Sequence, residues 1–121
     1  MTDPIAVLVV EDEALILLDI VYQLEAEGFK TYQASNADAA IDLLNAHSDI
    51  RLIFTDIDMP GSMDGLKLAA AVRDRWPPVK IILTSGRHNL DITGVPEGSI
   101  FFCKPYHHAT IARSMHQMLA A

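Results

Sequence analysis

Short strand-like segments alternate along the chain with longer segments in which apolar residues recur every three or four positions. Ala6–Val10 is an uninterrupted aliphatic run, a pattern typical of a strand buried on both faces of a parallel sheet. Four further short segments predict strands, and the amphipathic segments between them predict helices. The predicted strands are Ala6–Val10, Lys30–Ala34, Arg51–Thr55, Val79–Thr84 and Ile100–Cys103, and the predicted helices are Glu13–Glu27, a segment from Ser35 or Asn36 to about His47, Leu66–Trp76 and His108–Leu119.

Glycine and proline mark where the predicted helices end. Gly28 follows the first helix and tolerates the left-handed backbone of a helix cap. Pro77 and Pro78 follow the third helix, and no helix continues through that pair. Between the fourth and fifth strands, four residues oppose a long helix: Gly86, Gly94, Pro96 and Gly98. We therefore predict that Arg87–Ser99 is mobile, with a fourth helix that is short or irregular.

Alternation of five strands with four or five helices predicts one α/β domain over residues 1–121. Crossovers between parallel strands are right-handed, so helices are expected to cover both faces of the sheet. In open sheets of this kind, ligands bind beyond the carboxyl ends of the strands. The residues at those ends are therefore the first candidates for function.

Acidic, hydroxyl and basic side chains follow four of the predicted strands. Glu11 and Asp12 end the first strand, Asp56 the third, Thr84 the fourth and Lys104 the fifth. Clustered carboxylates repel one another and need a cation, and Mg²⁺ prefers such oxygen ligands. A carboxylate can also act as a nucleophile toward phosphorus, while Mg²⁺ and an ammonium neutralise charge on a transferring phosphoryl group.

Composition narrows the classes of partner. The net charge is −7 and lysines and arginines do not cluster, which argues against nucleic-acid binding. No apolar run is long enough to span a bilayer. The single cysteine, Cys103, cannot form an internal disulfide and suits a reducing compartment. We therefore expect a cytoplasmic protein that contacts neither nucleic acid nor membrane.

The ordered motifs at the strand ends make the chain resemble the receiver domains of two-component response regulators over essentially its whole length. The matching residues are Val9-Val10-Glu11-Asp12-Glu13, Thr55-Asp56-Ile57-Asp58-Met59-Pro60, Asp64-Gly65, Thr84-Ser85-Gly86 and Lys104-Pro105. The resemblance implies a flavodoxin-like three-layer sandwich with strand order 2-1-3-4-5, for which a receiver is a standard example.

The resemblance also implies a role for each matching residue. Asp56 would accept a phosphoryl group from a phosphohistidine on a histidine kinase or phosphotransfer protein. Glu11, Asp12, Asp56 and the carbonyl of Ile57 would bind Mg²⁺. Thr84 would be the switch hydroxyl and Lys104 would bind the phosphoryl group. Phe101 falls on the family's aromatic switch position, and the Lys104–Pro105 peptide bond is expected to be cis.

Three departures from the common family pattern lie close to the expected site. The loop after Asp56 is one residue longer, through Gly61-Ser62-Met63. Asp58 places an extra carboxylate two residues after the acceptor, and Gly86 offers no side chain two residues after Thr84. We expect Asp58 and Gly86 to modulate the lifetime of the phosphoryl group, with a sign that the residues alone leave open.

The first predicted helix carries apolar residues on two sides. Ile16, Ile20 and Leu24 are spaced by four and are expected to face the core. Leu15, Leu18 and Tyr22 fall on another side. That second stripe is either a docking face for a phosphodonor, or a homodimer contact, or a set of surface apolar residues with no partner.

Two other functions remain open from the residues alone. Asp56-Ile57-Asp58 resembles the nucleophile–acid pair of haloacid-dehalogenase-like Mg²⁺-dependent phosphatases, although that pair usually follows the first strand. A pseudo-receiver, a binding module without phosphorylation, would be expected to lose an acid, the acceptor or the lysine. A receiver is a slowly self-dephosphorylating switch and not a turnover enzyme, and here it is either stand-alone or part of a longer protein.

Overall fold

The computed structural model describes residues 3–59, 61, 63–86 and 95–120, which form a five-stranded sheet between two layers of helices. The strands are β1 (Ala6–Val10), β2 (Lys30–Ala34), β3 (Ile50–Asp56), β4 (Lys80–Ser85) and β5 (Ile100–Cys103). The helices are α1 (Ala14–Ala26), α2 (Ala37–Ala46), α3 (Gly65–Arg75) and α4 (His108–Ala120). No helix in the described ranges is long and apolar enough to cross a membrane.

All strand pairs are parallel, and the order β2-β1-β3-β4-β5 confirms the order that the resemblance implied. The central strands β1, β3 and β4 are buried almost throughout, whereas the edge strands β2 and β5 are partly exposed. This difference follows from the continuous aliphatic character of the central strands, which suits burial on both faces.

One apolar core lies on each face of the sheet. On one face, Leu8 and Ile53 pack with residues of α2 and α3 such as Leu44 and Leu68. On the other face, Val9 and Phe54 pack with residues of α1 and α4, among them Leu24 and Met115. Side chains of successive strand residues point to opposite faces, so each central strand contributes to both cores.

The helix ends follow the predicted chemistry. Gly28 adopts a φ of 95°, and its N–H donates to the carbonyl of Glu25 while Phe29 N–H donates to Leu24. Of the two candidates for the cap of α2, Asn36 takes the position, because its side chain accepts a hydrogen bond from Ala39 N–H at 2.8 Å. α3 ends at Arg75, just before the two prolines.

The predicted mobile segment lies partly outside the described residues, which resume at residue 95. Residues 95–99 form no helix and make a turn in which Ser99 N–H donates to the carbonyl of Pro96. The guanidinium of Arg73 donates to the carbonyls of Glu97 at 2.9 Å and Pro77 at 3.2 Å. The bond to Glu97 attaches the chain leading into β5 to the C-terminal part of α3.

Gly65 brings the first turn of α3 against the backbone of the strand end that carries Asp56. Its N–H donates to the carbonyl of Ile57 at 2.9 Å. A Cβ built on Gly65 would overlap the carbonyl oxygen of Asp56 and lie 2.6 Å from Ile57 Cα. Only glycine fits this contact between helix and strand.

Gly65→Ala is expected to destabilise the fold by roughly 1–3 kcal/mol, because backbone atoms with little freedom must move to admit the methyl group. Gly86→Ala is the matched control, since a Cβ there meets no atom within 4 Å. Urea unfolding of both variants measures the difference. Equal stabilities would show that the close approach at Gly65 is not restrictive.

Candidate functional site

Four strands deliver polar side chains to one edge of the sheet, because parallel strands end together. Asp56 pairs in register with Thr84, and Ser85 pairs with Cys103, the residue before Lys104. Glu11 follows β1, and its N–H donates to the carbonyl of Ala34 at the end of β2. Glu11, Asp56, Thr84 and Ser85 are at most 5% exposed, although all four are polar.

Lys104 is the cation at the centre of this cluster. Its Nζ lies 3.2 Å from Asp56 Oδ2 and 3.3 Å from Glu11 Oε1. The Lys104–Pro105 peptide bond is cis, as the resemblance implied. One ammonium therefore serves two buried carboxylates that come from different strands.

Asp12 completes an acidic cluster that can hold a metal ion. Ligand oxygens of Glu11, Asp12 and Asp56 lie within 4.8 Å of one another, and Asp12 is exposed to solvent. Three carboxylates against one ammonium leave two negative charges, which a divalent cation would balance. The donor set is all oxygen and open to water on the Asp12 side, which fits Mg²⁺.

Burial dominates the electrostatics of the two inner carboxylates. It raises the pKa of Asp56, and the ammonium of Lys104 offsets only part of that effect. Burial also raises the pKa of Glu11, against a hydrogen bond from Glu13 N–H at 3.1 Å that lowers it. Burial works to lower the pKa of Lys104, but attraction from Asp56 and Glu11 outweighs it, and the pKa is raised.

The carbonyl of Ile57 does not suit the metal-ligand role that the resemblance assigned to it. It accepts hydrogen bonds from Met59 N–H at 3.1 Å and Gly65 N–H at 2.9 Å. A carbonyl oxygen has two lone pairs, and these two donors occupy them. Among the described residues, the ligand oxygens that gather at one point are those of the three carboxylates, Glu11, Asp12 and Asp56.

The two expected switch residues lie in different surroundings. Thr84 is 1% exposed and sits beside Asp56 in the sheet register. Phe101 is partly buried on β5 and packs against the core on the α2 and α3 side. Thr84 is thus the direct neighbour of Asp56 in the sheet, whereas β4 lies between Phe101 and the strand of Asp56.

One contact at the site escaped the sequence analysis. The hydroxyl of Ser85 donates to Asp58 Oδ2 at 2.6 Å, joining the end of β4 to the loop after β3. Asp58 itself is exposed, and Gly86 beside Ser85 faces open space. Ser85 was recognised only as part of a motif, because nothing local in the sequence pairs it with a residue 27 positions away.

Beside this site, α1 exposes its second apolar stripe, formed by Leu15, Leu18 and Tyr22, while its first stripe faces the core. Ile20 and Leu24 are buried and Ile16 packs partly against them. Leu15, Leu18 and Tyr22 are 83%, 57% and 71% exposed. A groove of about 380 Å³ runs from this helix to the site and is lined by Leu15, Ile16, Asp19, Ile20, Lys104, Pro105, Tyr106 and His108.

Fold and site together define a class: a doubly wound α/β domain whose strand ends gather a buried aspartate, two further acids and a lysine. The sequence matches the response regulator receiver domain family over residues 7–97. The chain belongs to that family, whose members are signalling switches.

Relatives agree with this assignment. The chain is 33% identical over 104 residues to the nitrogen assimilation regulatory protein NtrX of Azorhizobium caulinodans, covering 83% of this chain and 23% of that one. It is 30% identical over 102 residues to the aerobic respiration control protein ArcA of Escherichia coli, covering 83% and 42%. The chain thus spans less than half the length of these curated relatives.

A solved structure of similar size matches the whole fold. The response regulator receiver protein from Sinorhizobium medicae superposes with a TM-score of 0.89 at 31% identity, covering 98% of this chain and 97% of that one. The phosphatase alternative gains no support from these similarities.

In the absence of divalent metal and near neutral pH, Asp56→Asn is expected to raise the free energy of unfolding by on the order of 1 kcal/mol. The reason is that it removes a buried charge whose pKa is raised. A carboxyl with a raised pKa favours the folded state while protonated, so the stability of the wild type should approach that of the variant as the pH falls.

Urea unfolding in the presence of a chelator measures this difference across the pH range. Asp42→Asn, an exposed acid on α2, is the control and should leave stability nearly unchanged. If the difference in the free energy of unfolding between wild type and Asp56→Asn grew as the pH fell, the pKa of Asp56 would not be raised by its burial.

Proposed function

We propose that this domain accepts a phosphoryl group on Asp56 from a phosphohistidine of a histidine kinase or phosphotransfer protein. The observation that carries the proposal is the position of Asp56: it is buried at a strand end, with Lys104 Nζ at 3.2 Å and two further acids beside it. A carboxylate so placed can act as a nucleophile while nearby cations take up the charge of the transferred group.

The transfer is a displacement at phosphorus. A carboxylate oxygen of Asp56 forms the new bond, and the bond from phosphorus to the donor's histidine nitrogen breaks, leaving its electron pair on the imidazole. Lys104 then pairs with a phosphoryl oxygen as well as with Glu11. In the later hydrolysis, water attacks phosphorus and the Asp56 carboxylate is restored with release of inorganic phosphate, so the domain is a slow switch and not a turnover enzyme.

Glu11, Asp12 and Asp56 would hold Mg²⁺, with Asp12 on the solvent side. Held there, Mg²⁺ would neutralise part of the charge on the phosphoryl group during the transfer. Glu11 has a double task in this arrangement, since it also lies 3.3 Å from Lys104.

Thr84 and Phe101 are proposed as the switch pair and Asp58 and Gly86 as modulators. Thr84 is the register partner of Asp56 on the neighbouring strand, and we propose that its hydroxyl responds to a phosphoryl group there. Gly86 leaves open space where a larger side chain would screen the site from water. The net charge of −7 supports the absence of nucleic-acid contact by this domain. A cytoplasmic location is proposed on the single cysteine, Cys103, which suits a reducing compartment.

The exposed stripe of α1 is proposed as the surface that meets the phosphodonor. Leu15 belongs both to this stripe and to the groove that contains Lys104. A partner seated there is therefore placed next to the phosphoryl-binding ammonium. Apolar residues in the centre of such a face supply most of the binding energy.

The charge of α1 favours a different protein over a second copy of this chain. The helix carries Asp19 and Glu25 and no basic residue, and Glu11, Asp12 and Glu13 precede it. Two such faces would repel each other, whereas a donor helix with lysine or arginine around an apolar centre would complement them. A homodimer through α1 is therefore the less favoured arrangement.

Incubation with acetyl phosphate and Mg²⁺ is expected to add one phosphoryl mass to the wild type, because Asp56 can take the group from a small donor. Asp56→Asn should gain none, and Asp12→Ala or added chelator should slow labelling strongly. Intact-mass spectrometry measures each case. A phosphoryl mass on Asp56→Asn would place the acceptor elsewhere.

Leu18→Glu is expected to slow phosphotransfer from the cognate donor about tenfold, the size of one central interface contact. Labelling by acetyl phosphate should be unchanged, because the chemistry lies at the strand ends. Gln117→Glu, which adds the same charge on the exposed side of α4, is the matched control. If Leu18→Glu left the rate of phosphotransfer from the donor unchanged, the donor would not bind this face of α1. If the variant changed only the sedimentation of the protein, the face would be a homodimer contact.

A further inference from the structure

The hydrogen bond between Ser85 and Asp58 spans the mouth of the acceptor site. Ser85 is fully buried, whereas Asp58 lies on the exposed loop that follows β3. The separation of 2.6 Å between Ser85 Oγ and Asp58 Oδ2 is that of a strong, charge-assisted bond. A buried hydroxyl thus restrains the position of the exposed Asp58 carboxylate.

Asp58 is close enough to Asp56 for its position to matter. Its N–H points toward the acceptor, 3.3 Å from Asp56 Oδ1. Its negative charge is among the influences that raise the pKa of Asp56. The two carboxylates therefore sense each other, and a phosphoryl group on Asp56 would bring further negative charge toward Asp58.

Ser85 itself is held from both sides. Its carbonyl accepts a hydrogen bond from Lys104 N–H at 2.8 Å, and the carbonyl of the preceding Thr84 accepts one from Ile57 N–H at 2.8 Å. The end of β4 is thereby attached to the strand of the acceptor and to the strand of the lysine. A hydroxyl on so firm a support can fix the place of the group that it binds.

We propose that Ser85 is a positioning residue whose hydroxyl holds the Asp58 carboxylate beside Asp56, and that this held carboxylate shortens the lifetime of the acyl phosphate. The inference rests on the proposed function. Ser85 thereby has a role that its motif alone does not indicate, and Asp58 acts to shorten the lifetime of the phosphoryl group.

Two physical effects point the same way. A carboxylate next to the phosphoryl group raises the energy of the phosphorylated state by like-charge repulsion. It can also accept the proton of the attacking water while the water oxygen bonds to phosphorus. The bond between phosphorus and Asp56 then breaks, its electron pair returns to the Asp56 carboxylate, and inorganic phosphate leaves.

The alternative is that Ser85 only satisfies a buried polar position and supports the fold. A purely structural role would alter the lifetime through general loosening, whatever residue stands at position 58. A positioning role requires the charge of Asp58. A double-mutant cycle separates the two, because it measures whether the effect of one substitution depends on the other.

The experiment uses the full chain labelled with acetyl phosphate and Mg²⁺, freed of donor, and followed by intact mass as the label decays. Ser85→Ala and Asp58→Asn should each lengthen the half-life about threefold or more, the lower range for coupled neighbours. In the Asp58→Asn background, Ser85→Ala should add little. Thr55→Val is the control, since it removes another buried hydroxyl, one that donates to the Asp56 carbonyl, and should leave the half-life unchanged.

Three results would show that Ser85 does not position Asp58. An equal effect of Ser85→Ala in both backgrounds, a shortened half-life, or the same lengthening with Thr55→Val would overturn the positioning role. Melting temperatures of the variants show whether a change in half-life merely follows a loss of stability. If the wild type takes no label on Asp56, the proposed function fails, whereas labelling without coupling refutes only the role of Ser85.

Discussion

The contact of Lys104 with Glu11 and Asp56 is the interaction on which the rest of the site depends. Two carboxylates that are almost fully buried would be costly without a counterion, and one ammonium between them supplies it at 3.2 and 3.3 Å. Lys104 follows β5, an edge strand whose neighbour in the sheet is β4. The packing of β5 against β4 therefore determines whether Lys104 is in place to neutralise the buried carboxylates at this end of the sheet.

Much of the fold could be predicted because its determinants are local. The limits of β1, β2 and β5 matched the structure, since apolar runs and turn residues mark them directly. β3 extends one residue beyond its predicted bounds at each end, because Ile50 pairs with Ala6 of β1 and Asp56 pairs with Thr84 of β4. The choice of Asn36 over Ser35 as helix cap needed geometry, since both residue types serve equally well in sequence.

The parts that could not be predicted depend on backbone contacts or on distant partners. The strand-end rule brought Glu11, Asp56 and Lys104 together correctly, because it needs only the order of the strands. The occupied carbonyl of Ile57, in contrast, follows from how the backbone turns into α3 at Gly65. The Ser85–Asp58 bond joins two ordinary turn residues, and only the finished sheet places them within reach of each other.

The distance along the chain between Lys104 and its partners also bears on how the protein is made. Glu11 and Lys104 are separated by 93 positions, so a chain emerging from the ribosome presents its acids long before their counterion. Closing a loop of this length costs chain entropy, and contacts between the distant residues offset that cost only once they have formed. Such contacts therefore form late in folding. An unfinished chain thus holds the acidic residues without the ammonium that neutralises them, and competence for signalling arises only when nearly the whole domain has been synthesised.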